Sequence, residues 1–250
     1  MIAILSDVHG NIEALQAVLK DIEERKVEKI LCLGDLIGYG PDPAACLALA
    51  PKFEWTLMGN HEEGCLSEEG RASFTPRART ALEWTRRKLL NGDETKARDN
   101  PHLRFLQGLP TTREDGDIVF VHGSPVRPTR DYIFPRDATN RQKLQPVFDR
   151  IRRVCFAAHT HLPGVFTENF TFTHPTEFFG VYMLGSGKVL INVGSVGQPR
   201  DNDNRACYVT FDGDSVVFRR VEYDYQRTIR KIRAVPDLHP SLADRLAEGV

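Results

Sequence analysis

Of the eight histidines in this chain, five stand where an apolar run stops: His9, His61, His122, His159 and His161. Asp7, Asp35 and Asn60 occupy the same kind of position. Imidazole, carboxylate and amide oxygen without thiolate fit Mn, Fe, Zn or Co better than a structural zinc cage or an all-oxygen calcium site. Even seven of these eight as ligands are too many for one tetrahedral ion, whereas two ions sharing Asp35 as a bridging carboxylate would use seven. Any one of these histidines could be an ordinary structural residue. Their joint placement argues for a metal centre.

Asp7 and His9 are two residues apart, as are His159 and His161. In extended backbone each pair would point the same way, with ~6.6 Å along the chain between its members. That span could serve one ion or straddle two held ~3.5–4 Å apart. Gly10, Gly34, Gly59 and Gly123 beside these residues allow tight turns and close approach of backbone to an anion.

The surrounding pattern predicts how the segments meet. Residues 2–5, 30–33, 53–58, 118–121 and 154–158 read as strands, and the first three alternate with helices opened by Asn11 and by Asp42-Pro43. Such alternation predicts a parallel sheet, whose strand carboxyl ends converge on one crevice. Residues 71–109 read as two polar helices inserted at the rim, and Thr139-x-x-Gln142 as a capping box opening a helix to about residue 152. Short strands follow at 165–172, 178–184, 189–193, 207–211 and 216–223. A helical tail fills 224–250, with Ser241 capping its last helix. The expected whole is one domain over 1–250, built of two packed sheets with helices outside, the first largely parallel and the second largely antiparallel.

Composition sets limits. A net charge of -1 argues against an obligate nucleic-acid coat or membrane-surface binder, which need a concentrated basic field. Five scattered cysteines without a Cys-x-x-Cys pair read as structural thiols in a reducing compartment, and no apolar run has membrane-spanning length, so a cytoplasmic location is expected.

In order, Asp7-Val-His9, Gly34-Asp35, Gly59-Asn60-His61-Glu62, Val121-His122-Gly123 and Ala158-His159-Thr160-His161 resemble the blocks of the calcineurin-like metallophosphoesterase superfamily. Asn192-Val-Gly-Ser195 and Gly197-Gln-Pro-Arg200 are similar to its small bacterial and archaeal phosphodiesterase branch. The resemblance implies a four-layer α/β/β/α sandwich of two mixed sheets flanked by helices. It also implies that Asp7, His9 and His161 hold one divalent ion, that Asn60, His122 and His159 hold the other, and that Asp35 bridges. His61 would face the leaving-group oxygen as proton donor or charge stabiliser, a role worth ~10²–10⁴-fold. The implied reaction is in-line attack on a phosphate ester by hydroxide, since two cations lower the pKa of bound water from about 15.7 to about 7. Mn²⁺ is the first choice of metal, with Fe, Zn, Co or Ni as others.

Departures narrow the substrate. Protein serine/threonine phosphatases of this superfamily carry an Asp three residues after the bridging Asp, then Arg; here these positions are Gly38 and Tyr39. That favours a phosphodiesterase acting on small or nucleotide-like esters over a phosphomonoesterase or protein phosphatase. A binding scaffold that holds metal without catalysis would predict eroded ligands, and a metal-dependent amide hydrolase one metal with a carboxylate base. Glu62 is a candidate for orienting His61. Arg127, Arg130 and Arg200 are candidates for reaching phosphate or a nucleotide tail, with salt bridges as the alternative. The stripe Phe170, Phe172, Phe178, Phe179 and Tyr182 reads as core or a self-association surface, and the arginine groups near residues 77–88 and 227–233 as solvated faces. His102, His174 and His239 lie outside the blocks and read as structural.

Overall fold

The computed structural model describes residues 1–250. In chain order its strands are β1 (Ile2–Leu5), β2 (Lys29–Cys32), β3 (Trp55–Thr56), β4 (Thr112–Asp115), β5 (Ile118–Val121), β6 (Val154–Ala157), β7 (Gly164–Thr167), β8 (Thr171–Thr173), β9 (Val181–Met183), β10 (Val189–Asn192), β11 (Ala206–Phe211) and β12 (Ser215–Val221). Its helices are α1 (Ile12–Glu24), α2 (Pro43–Leu47), α3 (Asn60–Leu66), α4 (Glu68–Arg71), α5 (Pro76–Leu89), α6 (Pro101–Gln107), α7 (Arg141–Asp149), α8 (Tyr225–Arg233) and α9 (Ser241–Glu248).

The strands form two six-stranded sheets, ordered β3-β2-β1-β11-β12-β9 and β4-β5-β6-β10-β7-β8. Alternation along each strand makes the layers. Ile4, Leu31, Val209 and Phe218 of the first sheet pack on Phe120, Phe156, Val165 and Ile191 of the second. The opposite faces of β1 and β11, with Ala3, Leu5 and Tyr208, take the apolar side of α1: Leu15, Val18, Leu19 and Ile22. On the far side Leu144, Val147 and Phe148 of α7 cover Cys155, Ala157 and Phe166. The result is the expected four-layer sandwich. Burial of each large side chain such as Phe156 is worth about 2–3 kcal/mol.

The division into a parallel and an antiparallel sheet is wrong. Each sheet has two parallel and three antiparallel pairings. The late strands distribute across both sheets: β9, β11 and β12 extend the first, while β7, β8 and β10 extend the second. Local patterning also misplaced several ends. The run at 165–172 breaks into a hairpin because Phe170 turns with φ 60°, and the strand at 53–58 is reduced to Trp55–Thr56. Helix α7 is capped by the Asn140 carboxamide, which accepts from the Lys143 N–H at 3.1 Å, not by Thr139, which ends a 3₁₀ turn. Ser241 does not cap α9; its hydroxyl lies 2.9 Å from Nδ1 of His239. The rim helices and the C-terminal tail, read as separate appendages, share a core in which Ala81 and Trp84 of α5 meet Ile229, Ile232, Leu242 and Leu246. No helix is long and apolar enough to cross a membrane.

Candidate metal centre

The segments after β1, β2, β3, β5 and β6 meet at one end of the sandwich. Backbone bonds zip the first two together: Asp7 N–H to Gly34 O at 3.1 Å, His9 N–H to Asp35 O at 2.9 Å and Gly10 N–H to Leu36 O at 2.9 Å. The backbone there is not extended. Asp7, His9, Asp35, His159 and His161 have φ of 52, 50, 54, 67 and 62°, all in the left-handed region. Each such non-glycine residue costs about 1–2 kcal/mol, and strain of this kind concentrates at functional sites. The i, i+2 argument for shared direction therefore does not apply; the left-handed kinks turn these side chains inward.

Each acid divides its labour. Asp7 Oδ2 accepts the His159 N–H at 3.2 Å, leaving Oδ1 without a hydrogen bond, 3.6 Å from His9 Nε2 and 3.3 Å from His161 Nε2. Asp35 Oδ1 accepts the His61 N–H at 2.9 Å, while Oδ2 lies 3.7 Å from His9 Nε2 and 3.4 Å from His122 Nε2. Three imidazoles are oriented from behind. Nδ1 of His9 donates to Ile37 O at 3.1 Å, that of His122 to Leu33 O at 3.1 Å and that of His161 to Gln198 O at 2.6 Å. In the neutral rings the Nε2 lone pairs then point inward, which is how metal-binding histidines are held.

Inside, ring nitrogens face one another: His9 Nε2 to His161 Nε2 at 3.1 Å, and His122 Nε2 to His159 Nδ1 at 3.0 Å, with Asn60 Oδ1 3.1 Å from His122 Nε2. Facing ring nitrogens and an unpaired buried carboxylate oxygen make places that cations between them would satisfy. Three overlapping ligand groups result: Asp7, His9 and His161; His9, Asp35 and His61; Asp35, His122 and His159. All seven side chains expected as ligands thus converge, and so does His61. None of the five cysteines, all free and buried, joins them.

The electrostatics favour positive charge. Burial pushes the Asp7 and Asp35 carboxyls up, but nearby imidazoles outweigh it and hold both well below the usual range. Burial lowers His122, yet the Asp35 carboxylate brings it to about 9. Burial takes His61 down to about 3, and burial with the neighbouring Arg200 takes His161 to about 4. His159 is also lowered, chiefly by burial.

Glu62 does not orient His61. Its carboxylate accepts the backbone N–H groups of Asp35 at 2.7 Å, Gly59 at 2.9 Å and Ile37 at 3.3 Å, fixing the loop that carries Asp35. Burial and the Asp35 charge push its pKa to about 8 against those donors. His61 Nδ1 has no partner, and Gly38 presses on it: a β-carbon at Gly38, where φ is +92°, would stand 2.0 Å from that nitrogen. Gly59 is needed for similar closeness, since a β-carbon there would lie 2.1 Å from Asp35 Oδ1.

Of the arginines, Arg127 pairs with Asp131 at 2.6 Å and Arg130 with Glu63 at 2.5 Å. Arg200 forms no ion pair; it donates to Gln198 Oε1 at 2.7 Å. Sequence reasoning missed the aromatic walls. Tyr39 lies with its centroid 4.7 Å from His9 and 4.5 Å from His61, Phe74 4.9 Å from His61, and Tyr132 stacks on His159 at 3.7 Å. Tyr39, flanked by Gly38 and Gly40, had a local signal; Tyr132 had none. His174 and His239 serve local turns, with His174 also 3.3 Å from Asp201.

Residues 1–164 match the family model described as calcineurin-like phosphoesterase. The chain is a calcineurin-like phosphoesterase. As a member of that family it is a hydrolase of phosphate esters that depends on a dinuclear metal centre, with these buried His/Asp groups as candidate ligands. An uncharacterized protein of Methanocaldococcus jannaschii is 36% identical over 93% of this chain and 91% of its own length. A metallophosphoesterase structure from Sphaerobacter thermophilus is 39% identical, with a TM-score of 0.81 over 100% of this chain and 98% of that one. A hypothetical protein of Pyrococcus horikoshii OT3, 22% identical with a TM-score of 0.76 over 100% and 99% of the two chains, shares the fold.

Proposed function

We propose that this phosphoesterase is a phosphodiesterase for small or nucleotide-like esters, with Asp7, His9 and His161 holding one ion, Asn60, His122 and His159 the other, and Asp35 between them. The carrying observation is the inward set of donor atoms, with three imidazoles locked from behind by backbone carbonyls. Two divalent ions bound there would supply an activated water and a clamp on the charge that develops on phosphate oxygens. Mn²⁺ is the proposed metal, on a donor set of nitrogen and oxygen without thiolate. His61 would act as the hydrogen-bond or proton donor at the leaving oxygen. Its backbone N–H is tied to Asp35 and its ring is packed between Tyr39 and Phe74, so it needs no ligand role to be positioned. Arg200 would steady the substrate's anionic portion, whereas the acids on Arg127 and Arg130 weaken their case.

The diester preference rests on the rim: with Gly38 against His61 there is no acid to recruit a proton there, and Tyr39 stands where the protein phosphatases carry arginine. Free, buried cysteines agree with a cytoplasmic setting. The test is parallel turnover of bis-p-nitrophenyl phosphate and p-nitrophenyl phosphate by Mn²⁺-loaded protein, with Fe and Zn loading alongside. Faster diester hydrolysis is expected; a pronounced monoester preference would overturn the diester reading while sparing the metal site.

A further inference from the structure

Two guanidiniums beside the metal centre have no counter-charge. Arg200 and Arg245, from the loop after β10 and from α9, both donate to one neutral acceptor, Gln198 Oε1, at 2.7 and 3.1 Å. Neither forms an ion pair, and Nε of each is buried without a hydrogen-bond partner. Like charges sharing one amide oxygen repel, and buried unpaired donors are costly, so an anion would relieve both. Gln198 also ties the pair to the centre: its backbone carbonyl accepts from His161 Nδ1 at 2.6 Å, and the Arg200 N–H donates to His161 O at 3.2 Å.

Arg245 opens onto a cavity of about 530 Å³ whose wall includes Tyr39, Thr75, Arg77 and Leu242 and contains no acid. The amino end of α5 lies there, capped by Thr75, and adds the positive end of a fourteen-residue helix dipole. Arg77, in its first turn, forms no ion pair, unlike Arg79 and Arg86, which are held by Glu68, Glu83 and Glu94. Tyr39 lines this cavity and also contacts His9 and His61, so one ring borders both the cavity and the centre.

We infer that Arg77, Arg200 and Arg245 form a second anion subsite, which takes another phosphoryl group of the same substrate. The preferred substrates are then esters carrying two or more phosphates, not isolated diesters. This rests on the phosphoesterase site proposed above but is tested apart from it. Inorganic pyrophosphate and orthophosphate are titrated calorimetrically into metal-loaded protein at one fixed free-metal concentration. Pyrophosphate is expected to bind one to one and about tenfold tighter, as added charge-assisted hydrogen bonds allow. Arg245→Gln and Arg77→Gln should each erode that preference and together abolish it, with Arg245→Lys restoring part. Arg77 is exposed, so its variant reports on the subsite even if Arg245→Gln folds poorly. Equal affinity for the two anions in the wild type, or a preference that survives both substitutions, would overturn the inference. Two independent orthophosphate sites with no gain from linkage would also overturn it, by assigning the cavity to free phosphate. If bis-p-nitrophenyl phosphate is not hydrolysed while the arginine-dependent preference holds, the diester reading fails and the subsite stands.

Discussion

Asp7, His9 and His161 face Tyr39, Gln198 and the unpaired guanidinium of Arg200, whereas Asn60, His122 and His159 face Tyr132 and a rim where Arg130 is tied to Glu63. The donor chemistry of the two halves is nearly the same; their surroundings are not. One half keeps positive charge in reserve and opens towards the cavity under α9, while the other has spent its arginines on carboxylates. On the proposed assignment, metal binding would therefore be separable from recognition. The first would be symmetric about Asp35, and the second concentrated on the His161 side.

Asp35→Asn should strike both halves at once. Asp35 Oδ2 is within 3.7 Å of an imidazole nitrogen from each, so its neutralisation removes the shared charge. Losing several kcal/mol of charge stabilisation corresponds to about 10³-fold or more in turnover. Metal analysis should show both ions depleted; retention of two equivalents would argue against bridging. His61→Ala comes next. It should lower kcat by about 10²–10⁴-fold with both metals kept, and loss of an ion would make His61 a ligand, as its place in the group with His9 and Asp35 permits.

Glu62→Gln tests the loop beneath both halves. A carboxamide offers one oxygen where the carboxylate serves three N–H groups, and its NH₂ would confront a backbone donor. A loss of about 1–3 kcal/mol is expected, read as a lower Tm with weakened metal retention. An unchanged Tm would mean the Asp35 loop is held by other contacts, such as the bond from His9 N–H to Asp35 O.

The sequence exposed the candidate ligands of both halves but not their surroundings. Asp7, Asp35, His122 and His159 could be found because each follows an apolar run, and strand ends in such a sheet share one side of the molecule. What lay beyond local patterning was everything set by distant pairing. β1 lies against β11, some two hundred residues away, so the mixed character of both sheets had no local trace. The left-handed backbone at His9 and His161 is imposed by zipped loops, not by residue type, which is why an extended geometry misled. Arg245 meets Arg200 only because α9 folds back over α5, and Tyr132 reaches His159 from a loop without any periodic signal.

The smallest expected effect is the most direct probe of the asymmetry between the halves. Arg130→Gln removes a charge already neutralised by Glu63 and partly open to water, and such pairs are worth about 0–1 kcal/mol. KM for a phosphate ester should move by about twofold or less. Arg200→Gln removes a charge with no acid against it, next to His161, and should raise KM by about tenfold, as loss of one charge-assisted contact predicts. Because Gln198 keeps its backbone bond to His161, metal content should hold in both variants. Equal KM changes would show that the rim acts as a uniform field, and recognition would then belong to both halves alike.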